Sequence, residues 1–426
     1  MTATSSSSGL GRLVVLGQGY VGLPLAMRAV EVGWDVVGVD LDAERVRRLA
    51  AADSFVEDVS DDDLRSALDT GRYLPAADYG PCADFDVAVI TVPTPLREGV
   101  PDLSFVEGAA RSLAPLVRRG VTVVLESTTY PGTTEDLVGP FLAEGSDLVP
   151  GEDFHLGYSP ERIDPGNAHY DFRTTPKVVS GVDAASAKAV QGFFDTLVDT
   201  TVPVSGTREA ELTKLLENTF RHVNIALVNE LAMFAHELDI DIWETIDAAA
   251  TKPFGFMRFT PGPGVGGHCL PIDPSYLSWQ VKHALGRPFR FVELANDVND
   301  AMPDYVVRRV TALLNDERKA VNGSRILLLG LAYKKNSSDA RESPAPIVAR
   351  RLAALGAEVR AVDPHVEQAP PAGVARAELT TEELDGADLV IVLTDHDAFA
   401  WDLVSATTTP VLDTRRVHGL EGSHRL

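Results

Sequence analysis

The most reactive side chain in this sequence is a thiol in a stiff loop. Cys269 lies in the stretch GVGGHCLPIDP, with glycines before it and prolines after it, and Asp273 follows four residues later. Glycine and proline favour an exposed, irregular backbone here, in which a thiol can reach a bound molecule. A thiolate in such a setting is a nucleophile. A single cysteine is more commonly a small buried apolar residue, so both interpretations of Cys269 stay open at this point.

Two polar residues four positions apart could add to this chemistry. Lys214 and Asn218 lie in a stretch with helical apolar spacing, so their side chains share one face. A lysine can stabilise a developing oxyanion, and an amide can orient a water or a hydroxyl group. Alone, the pair also fits an ordinary solvent-exposed face. His268 is interpreted as structural or substrate-contacting, and the scattered cysteines and histidines predict no metal site.

A third group of residues, near the amino terminus, is typical of dinucleotide binding. Gly17, Gly19 and Gly22 form G-x-G-x-x-G between an apolar run and a helical pattern. The first glycine allows a tight turn, the second lets the backbone approach a pyrophosphate, and the third lets the helix pack on the strand. Asp40 can accept hydrogen bonds from ribose hydroxyls and would repel a 2′-phosphate. The pattern predicts NAD rather than NADP, with Arg45 either along the adenosine or exposed on a helix.

These side chains need a framework, and the apolar pattern of the first half predicts a parallel sheet. Short apolar runs alternate with helical stretches, which is the rhythm of βαβ units. The predicted strands are Leu13–Leu16, Asp35–Val39, Val87–Thr91 and Val121–Glu126, and the first helix covers Leu23–Val32. Asp40 and the glycine loop then follow the carboxyl ends of neighbouring strands.

The second half predicts helices and then a second α/β domain. Residues from Thr207 to Ala250 have helical spacing with no Gly or Pro, which predicts a long helix with a partner, a bridge between domains. A Pro/Gly-rich loop from Thr260 to Pro274 precedes more helix, out to about Leu314. The strand–glycine–helix pattern restarts at Ser324. In this second domain Asp363 again ends the second strand, and a last strand covers Leu389–Leu393.

Composition limits the class of protein. The chain has 426 residues, of which 45% are hydrophobic and 23% charged, and a formal net charge of −24. Such a charge should repel nucleic acid and anionic membranes, so neither is expected as a partner. An anionic substrate would need a locally basic site. Two cysteines fit a reducing cytoplasm, the Ser/Thr-rich start is not a signal peptide, and no apolar run is long enough to span a bilayer.

Seven ordered motifs, spread from about Arg12 to Val417, carry a resemblance to a known family. They are GQGYVGLPLA, PTP at Pro93–Pro95, ESTTYPGTT at Glu126–Thr134, SPERIDPGN at Ser159–Asn167, KLLENTFR at Lys214–Arg221, GGHCLPIDP, and GLAYKKNSSDARESP at Gly330–Pro344. The sequence resembles the UDP-glucose/GDP-mannose dehydrogenases, or nucleotide-sugar 6-dehydrogenases. The resemblance implies two Rossmann-like doubly wound parallel-sheet domains, joined by a long central helix and a helical dimerisation region.

The resemblance also implies domain boundaries and partners. Residues 1–10 would be a disordered tail, 11–206 the NAD-binding domain, 207–318 the central helical domain with the cysteine loop, and 319–426 the domain that binds the UDP-sugar. A homodimer through the central helix is expected, because residues around Asn229–Glu237 present apolar side chains on more than one face. Those side chains could instead be buried within one chain.

Roles for individual residues follow from the matching motif positions. Cys269 would be the nucleophile, assisted by Asp273, with Lys214 and Asn218 stabilising oxyanions. Thr128 would help to hold the hydrolytic water, and Glu161 would be the general acid/base. The remaining positions implied for cofactor binding are Tyr20, Val21, Pro93, Thr94, Ser127 and Thr128, and those for substrate binding are Glu161, Arg162, Lys214, Asn218, Gly266, Lys335 and Arg341.

The chemistry implied is a double oxidation of a primary alcohol. The C6 hydroxymethyl group of the sugar would become an aldehyde, which Cys269 captures as a thiohemiacetal; oxidation to a thioester and hydrolysis then give a carboxylate. Ile272 stands where UDP-glucose-specific members usually carry lysine, and KPFGFM at Lys252–Met257 resembles the UDP-N-acetylhexosamine dehydrogenases. UDP-N-acetylglucosamine or its mannosamine epimer is therefore predicted, with UDP-glucose or another nucleotide glucose as the alternative. Arg258 departs from that subfamily's pattern.

Other classes explain fewer of these residues. A short-chain epimerase or dehydratase needs Tyr-x-x-x-Lys, which the sequence lacks. A β-hydroxyacid dehydrogenase shares the glycine loop but has no use for the Cys269 loop or a second α/β domain. A non-catalytic NAD-binding scaffold would be expected to lack Cys269, Lys214 or Asp273, and all three are present.

Overall fold

The computed structural model describes residues 9–97, 99–163, 170–267 and 270–426. It divides the chain into two compact units, Met1–Glu217 and Asn218–Leu426. Each unit is built around its own parallel β-sheet, and each is described separately below.

The first unit contains a sheet of eight strands within the described residues. In sheet order it reads β3-β2-β1-β4-β7-β8-β9-β10, and a separate two-stranded ribbon is formed by β5 and β6. The strands are β1 (Arg12–Leu16), β2 (Asp35–Val39), β3 (Tyr73–Ala76), β4 (Val87–Ile90), β5 (Leu96–Arg97), β6 (Val100–Pro101), β7 (Thr122–Leu125), β8 (His155–Tyr158), β9 (Lys177–Gly181) and β10 (Thr201–Pro203). The main-sheet pairs are parallel except β8 with β9, which are antiparallel.

Helices cover both faces of this sheet. They are α1 (Gly22–Val32), α2 (Ala43–Ala50), α3 (Asp61–Asp69), α4 (Ser104–Leu113), α5 (Gly139–Ser146) and α6 (Ala184–Phe194), with a π-helical segment at Thr134–Val138. Successive residues of β1 point to opposite faces. Leu13 and Val15 are buried in one apolar cluster, and Val14 and Leu16 in another. A strand buried on both faces reads as a continuous apolar run, which is why the sequence pattern located it.

A helix of 31 residues, α7 (Thr207–Glu237), runs from the first unit into the second. The absence of Gly and Pro from this stretch allows such a length. The helix ends before α8 (Ile242–Ala250), whose amino terminus is capped by Asp241, which accepts from the N–H groups of Trp243 and Glu244. The predicted long helix with a partner is confirmed.

The second unit repeats the strand order of the first. Its helices are α9 (Asp273–Leu285), α10 (Arg290–Asp316), α11 (Pro344–Ala354), α12 (Thr381–Asp385) and α13 (Trp401–Ala406). Its strands are β11 (Arg325–Leu329), β12 (Glu358–Val362), β13 (Val374–Arg376), β14 (Leu389–Val392), β15 (Val411–Asp413) and β16 (His424–Arg425). They pair in parallel in the order β13-β12-β11-β14-β15-β16, the order of a doubly wound nucleotide-binding sheet.

The predicted fold class is therefore confirmed: two Rossmann-like α/β domains and a helical region between them in sequence. Observed strand ends differ from the predictions by one residue at several places, as at Val87–Ile90. In the described parts of the chain, no helix is both long and apolar enough to cross a membrane. The same residues contain no cluster of three or more His, Cys, Asp or Glu side chains that could hold a metal ion.

Candidate active site

The glycine loop after β1 has one position that the protein itself leaves open. Gly17 has φ +95°, and a Cβ there would lie 2.7 Å from the Thr91 carbonyl oxygen. A Cβ on Gly22 would overlap the Gly17 carbonyl oxygen, so Gly22 is needed for the helix to start against the loop. A Cβ on Gly19 would have nothing within 4 Å. Internal packing does not require glycine at position 19, but the close approach of a bound pyrophosphate would.

Asp40 follows β2 and lies beside this loop. Its carboxylate accepts from the backbone N–H groups of Gln18, at 3.0 Å, and Asp42, at 2.9 Å. A carboxylate has about four lone-pair sites, so capacity remains for ribose hydroxyls. Arg45 lies 3.6 Å from Asp40 and its guanidinium stands over the Phe55 ring at 5.4 Å. The glycine loop, Asp40 and Arg45 therefore fit a dinucleotide bound at the carboxyl ends of β1 and β2.

The other residues implied for the cofactor also follow strand ends. Pro93 and Thr94 come after β4, and Ser127 and Thr128 come after β7. Ser127 is buried and its hydroxyl donates to the Val92 carbonyl at 2.8 Å, which ties the two loops together. Tyr20 is 46% exposed and Val21 precedes α1. Parallel strands end at one edge of the sheet, where ligands of such folds bind.

The loop after β7 is fastened to α7 by a buried carboxylate. Glu211 is fully buried and accepts from the N–H groups of Gly132, at 2.5 Å, and Thr134, at 2.9 Å. It also accepts from the Thr134 hydroxyl at 2.7 Å. Burial raises the pKa of Glu211 to about 7, against the opposing effect of these donors. Glu211 thereby fixes the loop that carries Thr128 to the helix that carries Lys214.

Lys214 is one helical turn beyond Glu211 and is only 8% exposed. No carboxylate among the described residues of this unit pairs with its ammonium group. An ammonium buried without a counter-charge is costly, and an anionic or polarised ligand would relieve that cost.

Glu161 lies beyond the end of β8 in a buried cluster of charges. Its carboxylate accepts from Lys177 at 3.0 Å and from the backbone N–H groups of Arg162 and Ile163, each at 2.6 Å. Lys177 also contacts Glu126. Arg162 does not face this cluster, because its guanidinium forms a two-pronged ion pair with Glu217 at 2.7 and 3.2 Å.

In the second unit, Asn218 and Asp273 are brought together. The Asn218 amide donates to Asp273 Oδ2 at 2.6 Å, and both residues are at least nine-tenths buried. Asp273 begins α9, so its carboxylate also lies at a helix amino terminus, where negative charge is favoured. The two residues are 55 positions apart in the sequence, and only the family pattern predicts their contact.

A second polar connection fixes the loop before Cys269. Asn229 on α7 is fully buried, accepts from the Gly262 N–H at 2.9 Å and donates to Asn299 on α10, also at 2.9 Å. His222 Nε2 donates to the Asn296 side-chain oxygen at 2.7 Å. Burial lowers the pKa of His222, against the effect of Asn296. Buried amides that satisfy one another in this way define a single backbone position.

Cys269 and His268 lie outside the described residues, so their predicted roles are not placed by the structure. The preceding glycines are placed. A Cβ on Gly266 would lie 2.7 Å from the Glu342 carbonyl oxygen, and one on Gly267, whose φ is +87°, would lie 2.7 Å from the Tyr333 ring. This close packing explains the glycine run, and it brings Gly266 against the segment that contains Lys335 and Arg341.

Lys335 and Arg341 are half-exposed and paired with acidic neighbours. Lys335 Nζ is 2.6 Å from Asp397, which raises the pKa of Lys335, and Arg341 is 2.7 Å from Asp339. These exposed pairs are weak and could open for a diphosphate. Arg258 is likewise paired, at 2.9 Å, with Asp247, whose other oxygen contacts Arg416.

The strand-end acid of the second unit is enclosed rather than open. Asp363 accepts from the N–H groups of Leu331 at 2.6 Å and Ala332 at 3.0 Å, and from those of His365 and Val366. His396 Nε2 lies 3.1 Å from the same carboxylate. Since His396 Nδ1 accepts from the Asn336 N–H, its Nε2 carries the proton and donates to Asp363.

Three family models match the chain in order along its length. The NAD binding domain of the UDP-glucose/GDP-mannose dehydrogenase family matches residues 11–198, the central domain residues 208–301, and the UDP binding domain residues 327–419. The chain belongs to the UDP-glucose/GDP-mannose dehydrogenase family. It is an NAD-dependent nucleotide-sugar dehydrogenase, so the predicted family, enzyme class and cofactor are confirmed.

Relatives within this dehydrogenase family cover nearly the whole chain. The UDP-N-acetyl-D-mannosamine dehydrogenase of Pyrococcus horikoshii is 34% identical over 389 residues, 91% of this chain and 90% of the relative. The NDP-N-acetyl-D-galactosaminuronic acid dehydrogenase of Ralstonia solanacearum is 36% identical over 414 residues, 94% and 95% of the two chains. A solved UDP-glucose dehydrogenase from Pyrobaculum islandicum has a TM-score of 0.87 at 30% identity, covering 100% and 99%.

Several contacts that position the dehydrogenase site were missed by sequence reasoning. They involve Glu126, Lys177, Glu211, Asn229 and Asn299. Glu126 lies inside a quoted motif, and Lys177 opens an apolar strand, where an isolated lysine is unusual. Either oddity could have marked the pair, but their partners depend on tertiary contacts.

Proposed function

We propose that this dehydrogenase oxidises the C6 primary alcohol of a UDP-N-acetylhexosamine twice, to the uronic acid, through covalent intermediates on Cys269. The observation that carries the proposal is the 2.6 Å hydrogen bond from Asn218 to Asp273. It joins the helix that carries Lys214 to the segment four residues beyond Cys269, as a site built around that thiol requires. UDP-N-acetylglucosamine and UDP-N-acetylmannosamine are the favoured substrates.

Two NAD molecules, bound in turn, would each accept one hydride, and the first oxidation also releases the O6 proton to give the C6 aldehyde. Cys269, as the thiolate, attacks the C6 aldehyde, and protonation of the resulting oxyanion gives a thiohemiacetal. Loss of the second hydride from C6, together with the proton of the thiohemiacetal hydroxyl, gives a thioester. Water then attacks the thioester carbonyl, and the acid forms as the Cys269 sulfur leaves. The reactive aldehyde thereby stays on the enzyme.

Each residue around the thiol would act on a particular charge, water or proton of the reaction. The Lys214 ammonium and the Asn218 amide would stabilise the oxyanion on C6 in the capture and hydrolysis steps. Thr128 would hold the attacking water, and Glu161 would take its proton. Asp273, which accepts from Asn218, would orient that amide and assist the Cys269 chemistry.

Substrate binding is proposed for residues on several loops. Lys335 and Arg341 would exchange their present partners, Asp397 and Asp339, for the diphosphate, which supplies the local positive charge that a chain of net charge −24 needs. Gly266 would line the sugar, together with Arg162. Arg258 is paired with Asp247. It would therefore affect the choice of sugar only through the exposed segment directly before it, Lys252–Met257.

The experiment that tests the function is NADH formation with a panel of UDP-sugars, counted per sugar consumed. Two NADH for one UDP-N-acetylhexosamine, and slower turnover of UDP-glucose, is the expected result. Preference for UDP-glucose would establish the alternative substrate. No NADH with any sugar, despite measurable NAD binding, would support a non-catalytic scaffold.

The covalent step has its own test. Cys269→Ser should abolish net turnover while leaving NAD binding at the wild-type affinity, because the serine hydroxyl is a far weaker nucleophile than a thiolate. Cys82→Ser is the matched control, since Cys82 is buried in the first unit. Full activity in Cys269→Ser would refute the covalent mechanism.

A homodimer through α7 is also proposed. One face of the helix is buried within the chain, at Ala232 and Ala235, while an apolar stripe on another face is 41–69% exposed. The stripe consists of Leu212, Leu216, Phe220, Leu227, Leu231 and Phe234, and Leu238, directly after α7, continues it. An exposed apolar stripe at helical spacing favours a second copy of the chain as its cover.

Light scattering tests the dimer directly. Phe234→Glu should give a monomer, because it places a charge in the proposed interface, while Glu237→Gln on the next turn should leave the mass unchanged. A dimer that persists in Phe234→Glu would exclude α7 as the contact. The four-part domain division predicted from the sequence stays a proposal, which limited proteolysis near residues 207 and 319 would test.

A further inference from the structure

Three strands of the first unit deliver two acids and a lysine to one point. Glu126 directly follows β7, Glu161 lies three residues beyond β8, and Lys177 is the first residue of β9. Because β9 runs antiparallel to β8, its first residue lies at the edge where the parallel strands end. Tyr158 pairs with Ser180, and extending this register by three residues places Glu161 opposite Lys177.

The three side chains contact one another out of water. Lys177 Nζ is 3.0 Å from Glu161 and also contacts Glu126. Glu126 is 1% exposed, Lys177 3% and Glu161 9%. The rings of Phe172 and Phe194 lie 5.3 and 5.2 Å from the lysine Nζ and exclude solvent from it. We call these three residues the acid–lysine triad.

The hydrogen bonds distinguish the two carboxyl groups. Glu161 accepts on one oxygen from two backbone N–H groups, and on the other from Lys177. Every one of these donors favours an ionised carboxylate. Glu126 Oε2, by contrast, has no donor among the described residues. Both carboxyl groups contact the same ammonium group, on Lys177, so one positive charge faces two acids.

Charge balance gives the same assignment. With both acids ionised, the triad would carry a net negative charge in a region excluded from water, which is costly. One proton makes it neutral. Burial raises the pKa of Glu126, with Lys177 opposing and the Glu161 carboxylate adding to the rise. For Glu161, burial is outweighed by Lys177 and the hydrogen bonds, which lower its pKa.

The charged groups that border the triad do not alter this balance. Arg162 is the nearest along the chain, and it is already paired with Glu217. Lys177 has its own pKa raised: burial would lower it, but the two carboxyl groups outweigh that effect. The lysine therefore stays charged across the neutral range.

We propose that Glu126 and Lys177 are positioning residues for Glu161: Glu126 holds the proton that makes the triad neutral, and Lys177 keeps Glu161 ionised and oriented. The effect on catalysis rests on the proposed role of Glu161 as the acid/base. A base whose carboxylate is held by three donors is ready to accept a proton from water, at some loss of basicity. Lys177 thus sets the lower end of the pH range in which Glu161 can act.

The pH dependence of urea unfolding tests the proton assignment without any turnover. A group whose pKa is raised by folding stabilises the protein below its unfolded pKa, and that stability is lost as pH rises through the folded pKa. Glu126→Gln copies the protonated acid and cannot titrate. The wild type should therefore lose stability relative to Glu126→Gln progressively from the unfolded pKa of glutamate, about 4.3, up to the raised folded pKa of Glu126, and the two should be alike below about pH 4. Parallel curves at all pH values would overturn the assignment.

The pH profile of kcat/KM tests the positioning role. Lys177→Met removes the counter-charge, so the acidic limb should move up by about one pH unit or more, while NAD affinity stays the same. Glu126→Gln should leave the limb in place. Lys188→Met, at an exposed lysine of the same unit, is the control for the substitution itself. An unmoved limb in folded Lys177→Met, or a moved limb in Glu126→Gln, contradicts the proposal.

These two experiments separate the failure of the inference from the failure of the proposed function. If the wild type oxidised no UDP-sugar, the proposed function would be wrong, and the unfolding curves would still decide which acid carries the proton. If Lys177→Met did not accumulate as folded protein, Glu126→Gln would decide by itself, since glutamine keeps the shape and the donor capacity of the protonated acid.

Discussion

The two α/β domains have the same strand order around their first strands, and each places an aspartate after the second strand. In the first domain that residue is Asp40, which accepts from two backbone N–H groups and keeps lone pairs for a ligand. In the second it is Asp363, which accepts from four backbone N–H groups and His396. The same acid at the same place keeps acceptor capacity for a ligand in one domain and is enclosed by donors of its own chain in the other.

The loop after the first strand is also open in the first domain and filled in the second. Gly17 and Gly330 both have φ near +95°, so each loop turns in the same way. Two residues on, the first domain has Gly19, with open space around it, and the second has Ala332, which is 1% exposed. A buried methyl group and a saturated acid leave no room for a pyrophosphate there. The two domains share the fold and the strand-end acid, and they differ in the space at this loop position, which only the first domain leaves open.

The largest expected effect comes from removing the enclosed aspartate of the second domain. Asp363→Ala leaves its backbone donors and His396 without an acceptor, at about 1–3 kcal/mol for each buried group. The free energy of unfolding should fall by at least about 3 kcal/mol, while NAD affinity is unchanged in whatever protein folds. Urea unfolding and NAD titration measure the two. A stability loss no larger than that of Asp40→Ala would break the comparison.

A smaller effect is expected from closing the open loop. Gly19→Ala should weaken NAD binding about 10–100-fold, equivalent to about 1.4–2.8 kcal/mol, without lowering stability. Gly108→Ala, in α4, is the matched control because a Cβ there also meets nothing within 4 Å. Isothermal titration gives both affinities. Equal affinities in the two variants would mean that the pyrophosphate does not approach Gly19.

Loss of the ribose contact should weaken NAD binding less than Gly19→Ala does. Asp40→Ala is expected to weaken NAD binding about tenfold and to reduce the preference over NADP, because the repulsion of a 2′-phosphate is lost. The measurement is kcat/KM with each cofactor. Unchanged kinetics with both would place the ribose elsewhere.

The smallest expected effect is a difference in acid sensitivity. Burial opposes it, but His396 and the backbone donors hold the pKa of Asp363 well below its usual range. A lowered pKa stabilises the protein above the unfolded value, about 3.9, and this stability is lost as pH falls through the folded value. Asp363→Asn should therefore flatten the acid side of the stability curve. Curves that fall equally steeply for wild type and variant would argue against the clamp.

Much of the fold and part of the site could be predicted because the signals are local. A strand buried on both faces, a G-x-G-x-x-G turn and an acid after the next strand lie within thirty residues of each other. The placement of Lys177 opposite Glu161 could not be predicted, since it depends on β8 and β9 being the antiparallel pair of the main sheet. Nor could the contacts of Asn229 with Gly262 and Asn299, which join segments far apart in sequence. Asp363 looked like a copy of Asp40 because its enclosing donors come from a distant loop as well as from its own.

One continuous helix carries Lys214 and Asn218, and the division between the two units falls between them, after Glu217. Four residues of an α-helix advance about 6 Å along its axis, whatever surrounds them. The helix therefore fixes the spacing of the two residues proposed to stabilise the oxyanion. That spacing depends on the helix alone, so a change in this chain alters the distance between the two groups only if it bends or breaks α7 between them.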